Sequence, residues 1–183
     1  GLGDVYKRQE LAYLSSLISI DANDQILPSN KFDMWLMQSP ADRWQVLASQ
    51  WLITSRVSGL VGRLESKNVA ALGPELDRVN ASKVRGLTLS LLKENPGVSP
   101  EWNSFKSVLD WRAPLRRNSS LQDELAEWTL REAEWLGITG QGAISKYGIG
   151  FLDGEDLDLI NQDLPKTVDH ILIQSDNTAI APG

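Results

Sequence analysis

The chain has one histidine, His170, and it directly follows Asp169, so these two residues are the closest approach in the sequence to a catalytic pair. A serine hydrolase would need a nucleophile on a Gly-x-Ser-x-Gly elbow to complete it, and no such elbow occurs. One histidine is also too few for the multi-histidine metal sites of hydrolases. Gly137, Gly140 and Gly142 have the spacing Gly-x-x-Gly-x-Gly, but a helical pattern precedes them and no Lys-Ser or Lys-Thr follows. A phosphate-binding loop requires strand, loop and helix in that order, with a lysine for the phosphates. These glycines instead predict a plain turn between short strands. Asp21, Asn23 and Gln25 imitate the first ligands of a calcium loop, yet Ile26 stands where the sharp turn requires glycine and Phe32 where a bidentate glutamate belongs. They predict a hairpin turn. The acidic run Asp153, Glu155, Asp156 and Asp158 lacks spaced partners for a cation and reads as a solvated helix start favoured by the helix dipole. With no cysteine, zinc fingers, redox dithiols and thiol nucleophiles are excluded. The expectation is a non-enzymatic chain with no cofactor and no metal.

Binding chemistry has better candidates. Lys106, Arg112, Arg116 and Arg117 precede the longest helical pattern and Lys146 follows the glycine turn, a placement that would let them grip one DNA backbone. A solvated surface, or ion pairing with the acidic third of the chain, is the alternative reading of the same residues. Direct reading of a DNA groove by the long helix is disfavoured, because it carries Asp123, Glu124, Glu127, Glu132 and Glu134 against Arg131 alone. Seven tryptophans raise the question of base stacking. Trp44, Trp51, Trp102, Trp128 and Trp135 all fall on apolar helix stripes and are expected in the core, whereas Trp35 and Trp111 sit at helix ends.

The elements that would position these residues can be read from periodicity. Leu11, Leu14, Leu17 and Ile18 share a helical face that gives way to alternation around the Asp21 turn. A short helix through Phe32, Trp35 and Leu36 follows, then Ser39 as N-cap and Pro40 at the first position of a helix whose face is Trp44, Leu47, Ala48, Trp51 and Leu52. Residues 54–80 show no sustained period and read as a long connection with one helical turn near Pro74. Three helices are then expected: one capped by Ser82 and faced by Val84, Leu87, Thr88, Leu91 and Leu92, one opened by Ser99-Pro100, and one opened by Ser119 or Ser120 and ended by Gly137. A short strand–turn–strand, a helical turn over 145–151, an acidic helix over 154–162 and a terminal hairpin turning at Asp176-Asn177 complete the reading. Three helices followed by a β-ribbon is the order of a winged helix.

The expected fold is therefore mainly α with short β-hairpins, in tandem winged-helix-like units. The expected boundaries are a partial helical unit over 10–53, a linker over 54–81, a winged-helix-like domain over 82–163 and a further unit from 164. Residues 1–9 resemble translated sequencing-adaptor read-through and are set aside, and the stop at 183 just after an apolar stretch suggests an interior piece of a longer protein. The net charge of −6 divides unevenly, with 15 basic and 12 acidic side chains in residues 1–118 but 3 basic and 12 acidic in 119–183. An acidic C-terminal third repels phosphate at long range, so the chain lacks the basic footprint of a stand-alone DNA-binding domain. Apolar runs of four or five residues fall far short of the ~20 that cross a bilayer. We therefore expect a soluble, cytoplasmic chain that does not engage a membrane.

The terminal stretch carries a more particular pattern. Pro165, Val168, Asp169, His170, Leu172, Gln174, Asp176, Thr178, Ala181, Pro182 and Gly183 stand in the spacing Pro-x-x-Val-Asp-His-x-Leu-x-Gln-x-Asp-x-Thr-x-x-Ala-Pro-Gly. This resembles the signature of the actinobacterial helicase-associated proteins, whose domain is similar to the N-terminal region of XPB-type DNA helicases. The segment from Trp35 to Trp51, with Pro40-Ala-Asp-Arg-Trp44, and the segment from Glu127 to Gly140 also resemble that family's middle region. The resemblance implies winged-helix-like middle domains and the truncated start of an XPB-like domain from Leu164, with DNA, a helicase or other domains of the parent protein as partners. It gives no support to ATPase activity, since neither a Walker A lysine nor a Walker B acidic box is present. The expected function is a non-catalytic DNA-binding or helicase-associated module. The competing reading is an acidic module that docks a protein partner or masks a DNA site without touching DNA.

Overall fold

Helix starts in this chain are set by short side chains that accept the first free amides. Ser39 Oγ accepts from the Asp42 amide at 3.1 Å and donates to the Asp42 carboxylate at 2.7 Å, with Pro40 at the first helical position, and this opens the helix Pro40–Ile53. Ser29 opens Asn30–Leu36 and Ser145 opens Lys146–Asp153 in the same way. Elsewhere the cap differs from expectation by a residue or two. Ala81–Lys93 starts before Ser82, after an Asn80 that makes no side-chain cap bond. Trp102–Arg112 is capped by Glu101, whose carboxylate accepts from the Ser104 amide at 3.1 Å, and not by Ser99.

The computed structural model describes residues 2–62, 69–114, 119–164, 172–174, 176 and 178–180. In chain order the elements are α1 (Leu2–Leu14), β1 (Ile18–Ile20), β2 (Ile26–Pro28), α2 (Asn30–Leu36), α3 (Pro40–Ile53), α4 (Ala81–Lys93), α5 (Trp102–Arg112), α6 (Ser119–Trp135), β3 (Thr139–Gly140), β4 (Ala143–Ile144), α7 (Lys146–Asp153), α8 (Asp158–Asp163), β5 (Leu172–Ile173) and β6 (Ala179–Ile180). The fold is mainly α, and the strands form antiparallel two-stranded hairpins, β1–β2, β3–β4 and β5–β6. Residues 2–9, set aside in the sequence reading, form the first turns of α1. Among the described residues no helix is long and apolar enough to cross a membrane.

Three apolar clusters hold these elements together. The largest lies between α4, α5 and α6, where Val84, Leu91 and Leu92 meet Phe105, Leu109, Leu125 and Trp128. A second joins α1, α3, α4 and the end of α6 through Leu11, Ala48, Trp51, Leu89 and Ala133. A third seats α8 on α3 through Ala41, Leu157 and Ile160. Because α4 contributes to two of them, the N-terminal helices and the α4–α6 group share one interior.

This overturns the expected linker over 54–81. Its described residues fold back on themselves as a strap: Val57 N donates to Leu76 O at 3.0 Å, Arg78 N to Ser55 O at 2.8 Å, and Arg56 bridges Asp77 in antiparallel fashion. Val57, Leu60, Val69 and Leu76 are buried in the largest cluster, each burial being worth about 1.5–3 kcal/mol. The strap presses so closely on α6 that a Cβ at Gly59 would lie 2.2 Å from the Trp128 indole. Its apolar residues are isolated in sequence and joined by pairing across the strap, so no local period announces them.

Candidate functional site

The described cation candidates lie on α5 and at the start of α7, and each is already held by a carboxylate. Lys106 bonds the Asp123 carboxylate of α6 and stands 3.3 Å from Asp110, one turn further along α5. The Asp123 hydrogen bond holds its ammonium above the ordinary 10.5. Arg112 donates to Glu94 at 2.8 Å and lies over the Trp111 ring at 5.7 Å. Lys146 donates to Asp163 at 2.6 Å, and Tyr147 Oη donates to the same oxygen at 2.6 Å. These three cations therefore share no carboxylate: Lys106 is held from α5 and α6, Arg112 from just after α4 and Lys146 from α8. Among the described residues no shared contact joins Lys146 to the α5 pair. Arg116 and Arg117 lie outside the described residues.

The β3–β4 turn is internally satisfied as well. Gln141 N and Gly142 N donate to the two Glu134 oxygens at 2.9 and 3.3 Å, so a carboxylate of α6 sits where these amides would otherwise meet a phosphate. Both turn residues have positive φ, 52° and 80°, and a Cβ at Gly142 would lie 2.3 Å from Ser99 Oγ. The ribbon tip is thus packed down on the α4–α5 connection.

The terminal signature is described in part. Gln174 N donates to Thr178 O at 2.8 Å, and Asp176 accepts from both the Thr178 amide at 3.0 Å and its hydroxyl at 2.6 Å. The Gln-x-Asp-x-Thr spacing therefore closes the β5–β6 turn, and these bonds hold the Asp176 carboxyl below its ordinary 3.8. Val168, Asp169, His170, Ala181, Pro182 and Gly183 lie outside the described residues.

The remaining motifs resolve into structural roles. Asp21 Oδ1 accepts from the Asn23 and Gln25 amides at 2.8 Å each, which makes the calcium-like triplet the hairpin turn it was expected to be. In the acidic run, Asp153 pairs with Lys93 and Asp156 accepts from the Asp158 amide at 3.0 Å. Trp51 and Trp128 are buried and Trp44 and Trp102 partly so. Trp135 departs from expectation at 38% exposure, because α6 ends there and its buried stripe passes instead through Thr129, Glu132 and Ala133. Trp111 is 76% exposed.

Sequence reasoning missed a buried polar network. Glu132 accepts from Trp51 Nε1 and Ser58 Oγ, each at 2.7 Å, and faces Arg85, which donates to the Thr54 carbonyl and, at 2.6 Å, to that of Arg56. Burial pushes the Arg85 guanidinium below its ordinary value, with Glu132 acting against that. Arg56 donates to both oxygens of buried Glu10, at 2.7 and 3.1 Å, and to Gly73 O at 2.9 Å. A signal was present in the sequence: Arg85 stands four residues before Leu89 on one helix face, and Glu132 four after Trp128 on another, so each charge occupies a core-facing position. The network ties the strap to α1, α3, α4 and α6.

In comparisons with known proteins, no family model, no curated protein and no solved structure matches the chain.

Proposed function

We propose that this chain is a non-catalytic, cytoplasmic module of a larger DNA-transaction protein of the helicase-associated kind, with winged-helix-like scaffolding that touches the DNA backbone. The observation that carries the reading is the order of packed elements: α4, α5 and α6 are followed directly by the β3–β4 ribbon, with β3 against α6 and β4 against α4. Lys106 and Arg112 lie just before the last of these helices and Lys146 just after the ribbon. The carboxylate partners of Arg112 and Lys146 do not remove these two from the reading, since exposed ion pairs are worth only about 0–1 kcal/mol, whereas the Lys106 pair with Asp123 is partly buried and holds more firmly. The contact is to backbone rather than base edges, because α6 presents exposed Glu124 and Glu134 outward.

Anisotropy of a labelled duplex at low salt tests this reading. Binding should collapse as salt is added and weaken when Arg116 and Arg117 are changed to alanine. Absence of salt-sensitive binding overturns it. The pairing of every described candidate cation with a carboxylate favours a second reading, an acidic module that docks a protein or covers a DNA site. Charge reversal at Glu124 and Glu127 would then abolish capture of the flanking regions of the parent protein, and indifference to that reversal would count against it.

A further inference from the structure

A groove of about 410 Å³ lies between α4 and the start of α6, lined also by Arg112, Ala113 and Pro114 at the end of α5. Val84, Leu87, Leu121 and Leu125 supply aliphatic walls, and Lys83 and Arg112 stand at the edge. Three features of this groove point to the kind of partner it fits. Its described lining contains two cations and no carboxylate, in a chain whose net charge is −6. Lys83 is exposed and makes no ion pair among the described residues, while the Arg112 pair with Glu94 is exposed and cheap to exchange. Gln122 lines the groove at 3% exposure with a buried amide nitrogen that has no hydrogen-bond partner among the described residues. A buried donor of that kind is costly until an acceptor reaches it.

We propose that this groove docks an acidic amphipathic helix of a partner protein, with leucine-type side chains on the α4–α6 floor and carboxylates on Lys83 and Arg112. The aliphatic lining decides between partner classes. A nucleobase gains its affinity by stacking on aromatic rings, and the described lining has none. Aliphatic anchors at i, i+3, i+4 and i+7 suit a groove between two helices. This inference shares Arg112 with the DNA-contact reading but rests on Lys83 and the aliphatic lining, which that reading leaves unused, so Lys83→Glu separates the two.

The test uses the whole chain and a labelled synthetic helix of about 15 residues, four turns, with leucine at i, i+3, i+4 and i+7 and glutamate on the opposite face. A counterpart with lysine for glutamate, a scrambled peptide and a single-stranded oligonucleotide serve as alternatives. The acidic helix should bind, shift the methyl resonances of Leu87, Leu121 and Leu125, and lose about tenfold or more in affinity on Lys83→Glu or Arg112→Glu. Lys83 is exposed in the first turn of α4, where a glutamate suits the helix dipole, so Lys83→Glu keeps the fold. Equal binding of the lysine or scrambled peptide, or unchanged affinity for the Lys83→Glu chain, overturns the proposal. So does displacement of the helix by the oligonucleotide with shifts of the same methyls, which would make the groove a nucleic-acid site.

Discussion

Arg85 and Glu132 face each other across 3.7 Å between α4 and α6, with 3% and 5% of their side chains exposed. Two charges so deeply removed from water persist only when their other polar atoms are satisfied. Glu132 meets that condition through Trp51 and Ser58, and Arg85 through the carbonyls of Thr54 and Arg56. Each partner belongs to α3 or the strap, so the pair fixes the strap's path over the α4–α6 core. The Arg85 guanidinium also lies over the Trp51 ring at 5.4 Å.

Removing one member should therefore cost far more than a surface ion pair. Glu132→Ala leaves a buried guanidinium without its counter-charge and an indole N–H and a hydroxyl without their acceptor, and the expected loss is about 3–5 kcal/mol. Urea unfolding measures it. Arg85→Met with Glu132→Leu should be less destabilising than the sum of the single changes, because the double variant leaves no orphan charge. Additivity of the two losses would show that the pair is not coupled.

Gly59 and Gly86 should respond to alanine in opposite directions. A Cβ at Gly59 meets the Trp128 ring at 2.2 Å, whereas at Gly86, inside α4, nothing lies within 4 Å. Overpacking at the first site should cost about 1–3 kcal/mol. At the second, alanine should add about 0.5–1 kcal/mol through helix propensity. The urea midpoints decide it. A neutral Gly59→Ala would mean that the strap moves freely away from Trp128.

What the sequence made legible was local. Ser39 and Pro40 announce α3 because cap and first turn are neighbours in the chain, and Trp44, Ala48 and Trp51 announce its buried face because helical spacing repeats within two turns. The strap was illegible for the opposite reason: Val57 meets Leu76 across a pairing that no short window contains. The candidate site divides the same way. Lys106, Arg112 and Lys146 could be picked out by position, but their pairing with Asp123, Glu94 and Asp163 depends on how helices approach one another. Arg85 and Glu132 offered a pattern, a charge on an apolar stripe, that acquires meaning only when both stripes are seen to face each other.

The Asp163 centre should titrate on the acid side. Hydrogen bonds from Lys146 and then Tyr147 hold the Asp163 carboxyl below its ordinary 3.8. A carboxyl lowered by folding contributes stability that is present above its unfolded value and lost as pH falls through the lowered one. The contact between α7 and α8 should thus hold at neutral pH and loosen only below 3.8. Carbon-detected titration of the Asp163 carboxyl should give a midpoint below that value, and Lys146→Met should raise it. A midpoint at or above 3.8 in the unaltered chain would show that the pair does not form in solution.

The carboxylates that hold the candidate cations make a sharper test of DNA contact than removal of the cations themselves. Asp123→Asn leaves Lys106 with only its longer pair to Asp110, and Glu94→Gln releases Arg112, without altering side-chain size, and each removes a negative charge that repels phosphate. If these cations meet a DNA backbone, the double variant should bind duplex more tightly at low salt. Its log–log salt slope should steepen by roughly 0.9 for each additional phosphate that the freed cations neutralise. Lys106→Gln in the same background should reverse part of that tightening, which separates a specific contact from a general change in net charge. Anisotropy across a salt series reads both quantities. If the freed cations leave affinity and slope unchanged, the pairs with Asp123 and Glu94 are structural, and the acidic face of α6 becomes the surface to which a partner should be sought.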